Sequence, residues 1–145
     1  MITILGSTGT IGINTLSIIS KIKTKDSIFA LTANTNIKLL FNQIKKYKPA
    51  FAVIGSLNNA NILSKPCLKN KIKTRILSGV DGLVYVSKHR KTKNLLSAIV
   101  GAAALIPTLA AIKSGKKTLL ATKEPLIMSG SLMIKAAKKR AATTI

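Results

Sequence analysis

The chain has 145 residues, 47% of them hydrophobic, which allows one domain with a buried core and argues against intrinsic disorder. Its formal net charge is +21, from 24 Lys and Arg against 3 Asp and Glu, but the cations are scattered and aromatics make up only 3%. That pattern fits lysine drift in an A+T-rich coding sequence better than the focused, aromatic-lined footprint of a specific nucleic-acid binder.

The first predicted element is a strand over residues 1–5, an apolar run with no charged stretch ahead of it, so no secretory signal peptide is expected. It runs into Gly6, Gly9 and Gly12, spaced G-x-x-G-x-x-G, and then into a predicted helix over 11–22. A glycine-rich turn between strand and helix suits a dinucleotide pyrophosphate. The N–H groups of Gly9, Thr10 and Ile11 would point at the anion from the helix N-terminus, with the hydroxyls of Ser7, Thr8 and Thr10 as further donors. A second strand is predicted over 28–33. An NAD site would place an acid at its far end to hold the ribose 2′-hydroxyl. Asp26 precedes the strand and the far end reads Ala33-Asn34-Thr35-Asn36, so a 2′-phosphate is tolerated there, with Lys38 close by; this turn favours NADP over NAD, unless it is only a helix cap.

A helix over 37–47 follows, with Ile37, Leu40, Phe41 and Ile44 on one stripe and lysines opposite. Next come a strand over 51–54, a helix over 58–64, a basic connecting loop over 65–73 around Pro66, a strand over 74–77 and a short turn near 79–86. Cys67 is the lone cysteine, which excludes an intrachain disulfide and a paired-cysteine zinc site and suits a reducing cytoplasm. His89 lies among cations and reads as part of a solvated loop. Residues 94–112 carry no charge and are long enough for a membrane span, but Gly101 and Pro107 divide them into a strand over 95–100, a turn and a helix over 107–114. A strand over 118–121 leads into Thr122-Lys123-Glu124-Pro125, at the carboxyl edge where open α/β sheets bind ligands; Lys123 could meet an anionic substrate, and Glu124 could equally be a helix-start charge. The last predicted helix covers 131–142. Asp26, Asp81 and Glu124 are too far apart in sequence to suggest a carboxylate metal cage. Alternating strands and helices predict an α/β fold, Rossmann-like and doubly wound, with a mostly parallel sheet and helices on both faces.

Two stretches, Ile4 through Gly12 and the run GAAALIPTLAAIKSGKKTLLATKE from Gly101 to Glu124, make the chain similar to the 1-deoxy-D-xylulose 5-phosphate reductoisomerase family. The resemblance covers nearly the whole chain. It implies an NADPH-dependent oxidoreductase, requiring Mg or Mn, that isomerises and reduces 1-deoxy-D-xylulose 5-phosphate to 2-C-methyl-D-erythritol 4-phosphate in the non-mevalonate isoprenoid pathway. Its cofactor contacts would carry over to Thr8, Gly9, Thr10, Ile11, Asn34, Thr35, Asn36, Thr122 and Glu124, and its substrate-binding lysine to Lys123. The chain departs from the family at Thr122 and Pro125, where the family commonly has Asn and Ser, at Asn34, where it has Gly, and at Ala104, where glycine is usual. The family's metal-ligand segment and catalytic and C-terminal domains would lie past Ile145. Residues 1–145 are therefore expected to be an NADPH-binding domain, a partial sequence or a truncated product, inactive alone and homodimeric and cytoplasmic as a full-length enzyme. The alternatives are a basic nucleic-acid-binding module or an inactive remnant.

Overall fold

The structure is a computed structural model that describes residues 1–22, 28–122 and 135. Six strands form one sheet: β1 (Ile2–Leu5), β2 (Ile28–Ala33), β3 (Phe51–Ile54), β4 (Arg75–Ser78), β5 (Asn94–Ser97) and β6 (Lys117–Leu120). Every pairing is parallel, in the order β4-β3-β2-β1-β5-β6. The connecting helices are α1 (Thr10–Ile22), α2 (Ile37–Tyr47), α3 (Leu57–Lys69), α4 (Gly79–Lys88) and α5 (Leu105–Lys113), with a 3-10 turn at Ala102–Ala104 before α5.

The chain steps outward from β1 to β4, then returns to β1's other side to lay down β5 and β6. Right-handed crossovers in opposite directions put the connecting helices on opposite faces. The buried residues follow that division. Ile4, Leu31, Ala52, Ile54 and Leu96 pack with Leu16 of α1, Leu40 and Ile44 of α2, and Leu63 and Cys67 of α3. Phe29, Phe51 and Val53 pack with Val86 of α4, while Leu5 and Leu95 meet Ala111 of α5. Coverage on both faces explains why β2 and β3 are buried at every position and apolar at all but Thr32, whose hydroxyl is hydrogen-bonded. Leu40 and Ile44 are fully buried, and burial of each stabilises the fold by roughly 1.5–3 kcal/mol.

Three expectations need correction. Residues 65–69, read as loop, are the last turns of α3 with Pro66 inside it. Proline removes one N–H donation, but Leu63 and Cys67, four apart, are both buried on the sheet and hold the helix on course. Burial also pushes the Cys67 thiol up, away from thiolate reactivity. The turn near 79–86 is the ten-residue helix α4. The strand expected over 95–100 ends at Ser97, and residues 98–100 leave the sheet. The uncharged run 94–112 thus splits into β5, a turn and α5, and among the described residues no helix is long and apolar enough to cross a membrane. The predicted helix over 131–142 and Asp26 fall outside the described residues.

His89 is a fourth correction. Its ring is half-buried against Phe29, 4.6 Å between centroids, and reaches Tyr85 at 5.6 Å and Phe51 at 5.9 Å. Its carbonyl accepts a 2.7 Å hydrogen bond from the almost buried Lys116 ammonium. Burial first, then Arg90, Lys91 and Lys116, hold its pKa below the ordinary histidine value. A depressed folded-state pKa means that the unfolded chain binds the proton more readily, so the stability His89 contributes is present above about pH 6.5 and lost as pH falls through the folded value. The thermal midpoint is expected to fall on acidification through that window, and less steeply in His89→Gln; parallel profiles for the two proteins would contradict it.

Candidate functional site

The strand order reverses between β1 and β5, and in open α/β sheets the crevice at such a reversal, beyond the carboxyl ends of the strands, receives the ligand. Here that crevice is a cleft of about 360 Å³. Gly6, Thr8 and Gly9 form one wall, Thr32, Ala33 and Asn34 the next, and Ala98, Ile99 and Val100 face them. Leu83 of α4 and Ala103 add apolar surface, and no lining residue is acidic.

The loop after β1 is built from its own backbone. Gly6 has φ +85, a conformation L side chains rarely adopt, and a Cβ there would stand 2.8 Å from the Ala98 carbonyl oxygen. The Gly6 N–H donates to Thr32 Oγ1 at 2.8 Å, the Ser7 N–H to the Thr32 carbonyl at 2.8 Å, and the Gly9 N–H to the Gly6 carbonyl at 3.3 Å. α1 then starts at Thr10, its first N–H to C=O bond running from Ile13 to Gly9 at 2.9 Å. The N–H groups of Thr10, Ile11 and Gly12 precede that bond and have no intrahelical acceptor. With no acid in the first turn, this N-terminus presents its partial positive charge at the cleft.

Ser7 departs from expectation. Read as a donor to a bound anion, it is fully buried and committed inside the protein. Its hydroxyl donates to Gln43 Oε1 at 2.7 Å and lies 3.1 Å from the Thr32 carbonyl, while Gln43 Nε2 donates to the Ser7 carbonyl at 2.8 Å. The carbonyl can only accept, which fixes the orientation of the Gln43 amide. Thr8, Gly9, Thr10 and Ile11 are half-buried or exposed around the loop. Thr32 and Gln43 were missed in the sequence. Gln43 sits three residues after Leu40 on the buried stripe of α2, and that position was the available signal.

Asn34, Thr35 and Asn36 form the exposed turn after β2, beside the first loop. Asn36 caps α2, its Oδ1 accepting from Leu39 N at 3.1 Å, so its oxygen is in use and its amide N–H groups are the donors a ligand would meet. The Asn34 carbonyl accepts from Gly55 N at 3.0 Å, which ties this turn to the end of β3. Thr122, just beyond β6, donates through its hydroxyl to the Ile99 carbonyl at 3.1 Å and so braces the loop that walls the cleft. The structure therefore brings Thr8, Gly9 and Asn34 into one cleft with the loop that Thr122 supports, while Thr10, Ile11, Thr35 and Asn36 adjoin it in sequence without lining it. Lys123 and Glu124 lie outside the described residues. Among the described residues no group of three or more His, Cys, Asp or Glu could hold a metal ion.

Residues 2–130 match the family model described as 1-deoxy-D-xylulose 5-phosphate reductoisomerase. A relative of that name from Clostridium botulinum strain Okra is 41% identical over 138 residues, 95% of this chain and 36% of the relative. A crystal structure of DOX-P reductoisomerase in complex with NADPH, fosmidomycin and magnesium superimposes with a TM-score of 0.95 at 39% identity, over 99% of this chain and 35% of that one. The Zymomonas mobilis reductoisomerase in complex with NADPH gives 0.90 at 35% identity, over 99% of this chain and 37% of that one. The chain thus spans about a third of the length of the relatives it matches.

Proposed function

The chain belongs to the 1-deoxy-D-xylulose 5-phosphate reductoisomerase family, and from that premise we propose that residues 1–145 are its NADPH-binding domain. The observation that carries this reading is Gly9. A Cβ there would meet only the Gly6 carbonyl oxygen, at 3.7 Å, so nothing inside the protein demands glycine, while the residue lines the cleft in front of the α1 N-terminus. A close-approaching phosphate supplies the demand.

In this assignment the N–H groups of Thr10 and Ile11, with Thr8 and Gly9, hold the pyrophosphate. Asn34, Thr35 and Asn36 hold the 2′-phosphate in surroundings free of lining acids, and Thr122 and Glu124 complete the cofactor contacts. Lys123 binds the phosphorylated substrate. NADPH supplies the hydride, and these residues bind and orient it. The Mg or Mn site that the family requires would draw its ligands from elsewhere, and no described residue is given a role in it. The whole protein is a cytoplasmic homodimer that converts 1-deoxy-D-xylulose 5-phosphate to 2-C-methyl-D-erythritol 4-phosphate, with no specific nucleic-acid or membrane partner.

Calorimetric titration tests the assignment. Saturable binding of NADPH, tighter than that of NADH, is the expected result. Heats that do not saturate, or equal affinity for the two nucleotides, would sink it.

A further inference from the structure

The buried Ser7–Gln43 pair has a feature that loop support alone does not require. Ser7 is tied to both flanks of the turn after β2. Upstream, its N–H donates to the Thr32 carbonyl at 2.8 Å, two residues before Asn34. Downstream, its hydroxyl and carbonyl engage Gln43 at 2.7 and 2.8 Å, seven residues after Asn36. The result is a closed ring running from Ser7 through Thr32, the 34–36 turn and the first two turns of α2, about 10 Å of helix, back to Ser7. Asn36 caps that helix, which ties the turn directly to the first turn of α2. The ring lies in the core: Ser7 is fully buried, and Thr32 and Gln43 nearly so. In a low-dielectric setting such bonds are strong, and leaving any member unpaired is costly.

We propose that Gln43 is a positioning residue for cofactor specificity: pinned to Ser7, it fixes the Asn34–Asn36 turn relative to the pyrophosphate loop, so that a dinucleotide carrying a 2′-phosphate engages both anion subsites at once. This rests on the NADPH assignment above. Two subsites held at a set separation bind a two-anion ligand in one step, because the ordering of the second site has already been done. NADH lacks the 2′-phosphate, so it gains only from the part of the pin that steadies the pyrophosphate loop, which NADPH shares. Loss of the pin therefore lowers the preference for NADPH specifically, whereas a merely supportive residue would weaken both nucleotides in parallel.

The test measures dissociation constants for NADPH and NADH by calorimetry in the wild-type chain, Gln43→Met and Ser7→Ala, with circular dichroism as the control for folding. Methionine keeps the volume of Gln43 and removes both of its hydrogen bonds; alanine at 7 removes only the hydroxyl bond. The NADH-to-NADPH ratio of constants is expected to fall about fivefold or more in Gln43→Met and by less in Ser7→Ala. Should Gln43→Met fail to fold, Ser7→Ala carries the comparison. A ratio unchanged from wild type in the folded variants overturns the proposal and leaves the NADPH assignment standing. A wild-type chain that shows no preference for NADPH overturns the assignment and the proposal with it.

Discussion

Gly12→Ala is expected to destabilise the chain by about 2–4 kcal/mol, even though alanine is the better helix former by about 1 kcal/mol. Gly12 is the third residue of α1, and its missing side chain is what lets the helix lie on the loop that precedes it. A Cβ there would fall 2.6 Å from Ser7 Cα and 2.8 Å from the Ser7 carbonyl carbon. Both are backbone atoms, and neither can turn aside. The loop cannot retreat, because Ser7 is held to Thr32 and Gln43 by bonds of 2.7–2.8 Å. Steric overlap thus outweighs propensity. Against a total stability of about 5–15 kcal/mol the loss is large, and for a domain of this size it corresponds to a drop of roughly 10 °C in the thermal midpoint. Thermal unfolding followed by circular dichroism reads the effect directly, and a midpoint equal to wild type would refute the packing argument.

The elements that sequence reading placed well are those whose surroundings leave a periodic trace. β2 and β3 are covered on both faces and are apolar at every position but the hydrogen-bonded Thr32, and α2 lies on the sheet by one stripe and exposes its lysines on the other. The glycine loop was legible because strand, glycine spacing and helix follow one another within a dozen residues, although the residues that hold it, Thr32, Gln43 and Ala98, lie far along the chain. What escaped the sequence depended on partners far along the chain. Pro66 signals a break locally, yet Leu63 and Cys67 are held by the sheet and carry α3 through it. A short turn was expected near 79–86 where α4 runs, and a Cβ at Gly82 would stand 2.9 Å from Val53 Cγ1, so that glycine serves close helix-on-sheet packing.

Ser7 and His89 illustrate the same limit for side chains. A hydroxyl in a phosphate loop can face the ligand or the core, and only Gln43, 36 residues on, decides between them. Lysine and arginine neighbours made His89 look solvated, although Phe29 and Phe51 come from strands far away in sequence and cover its ring. Local composition describes the flanks of a residue, and tertiary contact decides its environment.

Gly9→Ala separates binding from folding. Gly9 precedes the first residue of α1, and a Cβ there would find its nearest neighbour, the Gly6 carbonyl oxygen, at 3.7 Å, an ordinary contact. Its backbone is not in the left-handed region, so alanine adopts the same conformation. The fold should lose only the difference between glycine and alanine at a helix N-cap, about 1 kcal/mol or less. The added methyl group stands on a residue that lines the cleft and directly precedes the Thr10 and Ile11 N–H groups, where the pyrophosphate is assigned. Pushing a phosphate back from two or three aligned donors lengthens charge-assisted bonds that weaken steeply with distance. NADPH affinity is expected to fall about tenfold or more, equivalent to at least ~1.4 kcal/mol, with a nearly unchanged circular dichroism spectrum and melting curve. NADH should weaken by a similar factor, since both nucleotides share the pyrophosphate; this sets Gly9→Ala apart from Gln43→Met, which acts on their ratio. Wild-type affinity in Gly9→Ala would mean that the phosphates do not approach the loop there, and the glycine would lose its functional explanation.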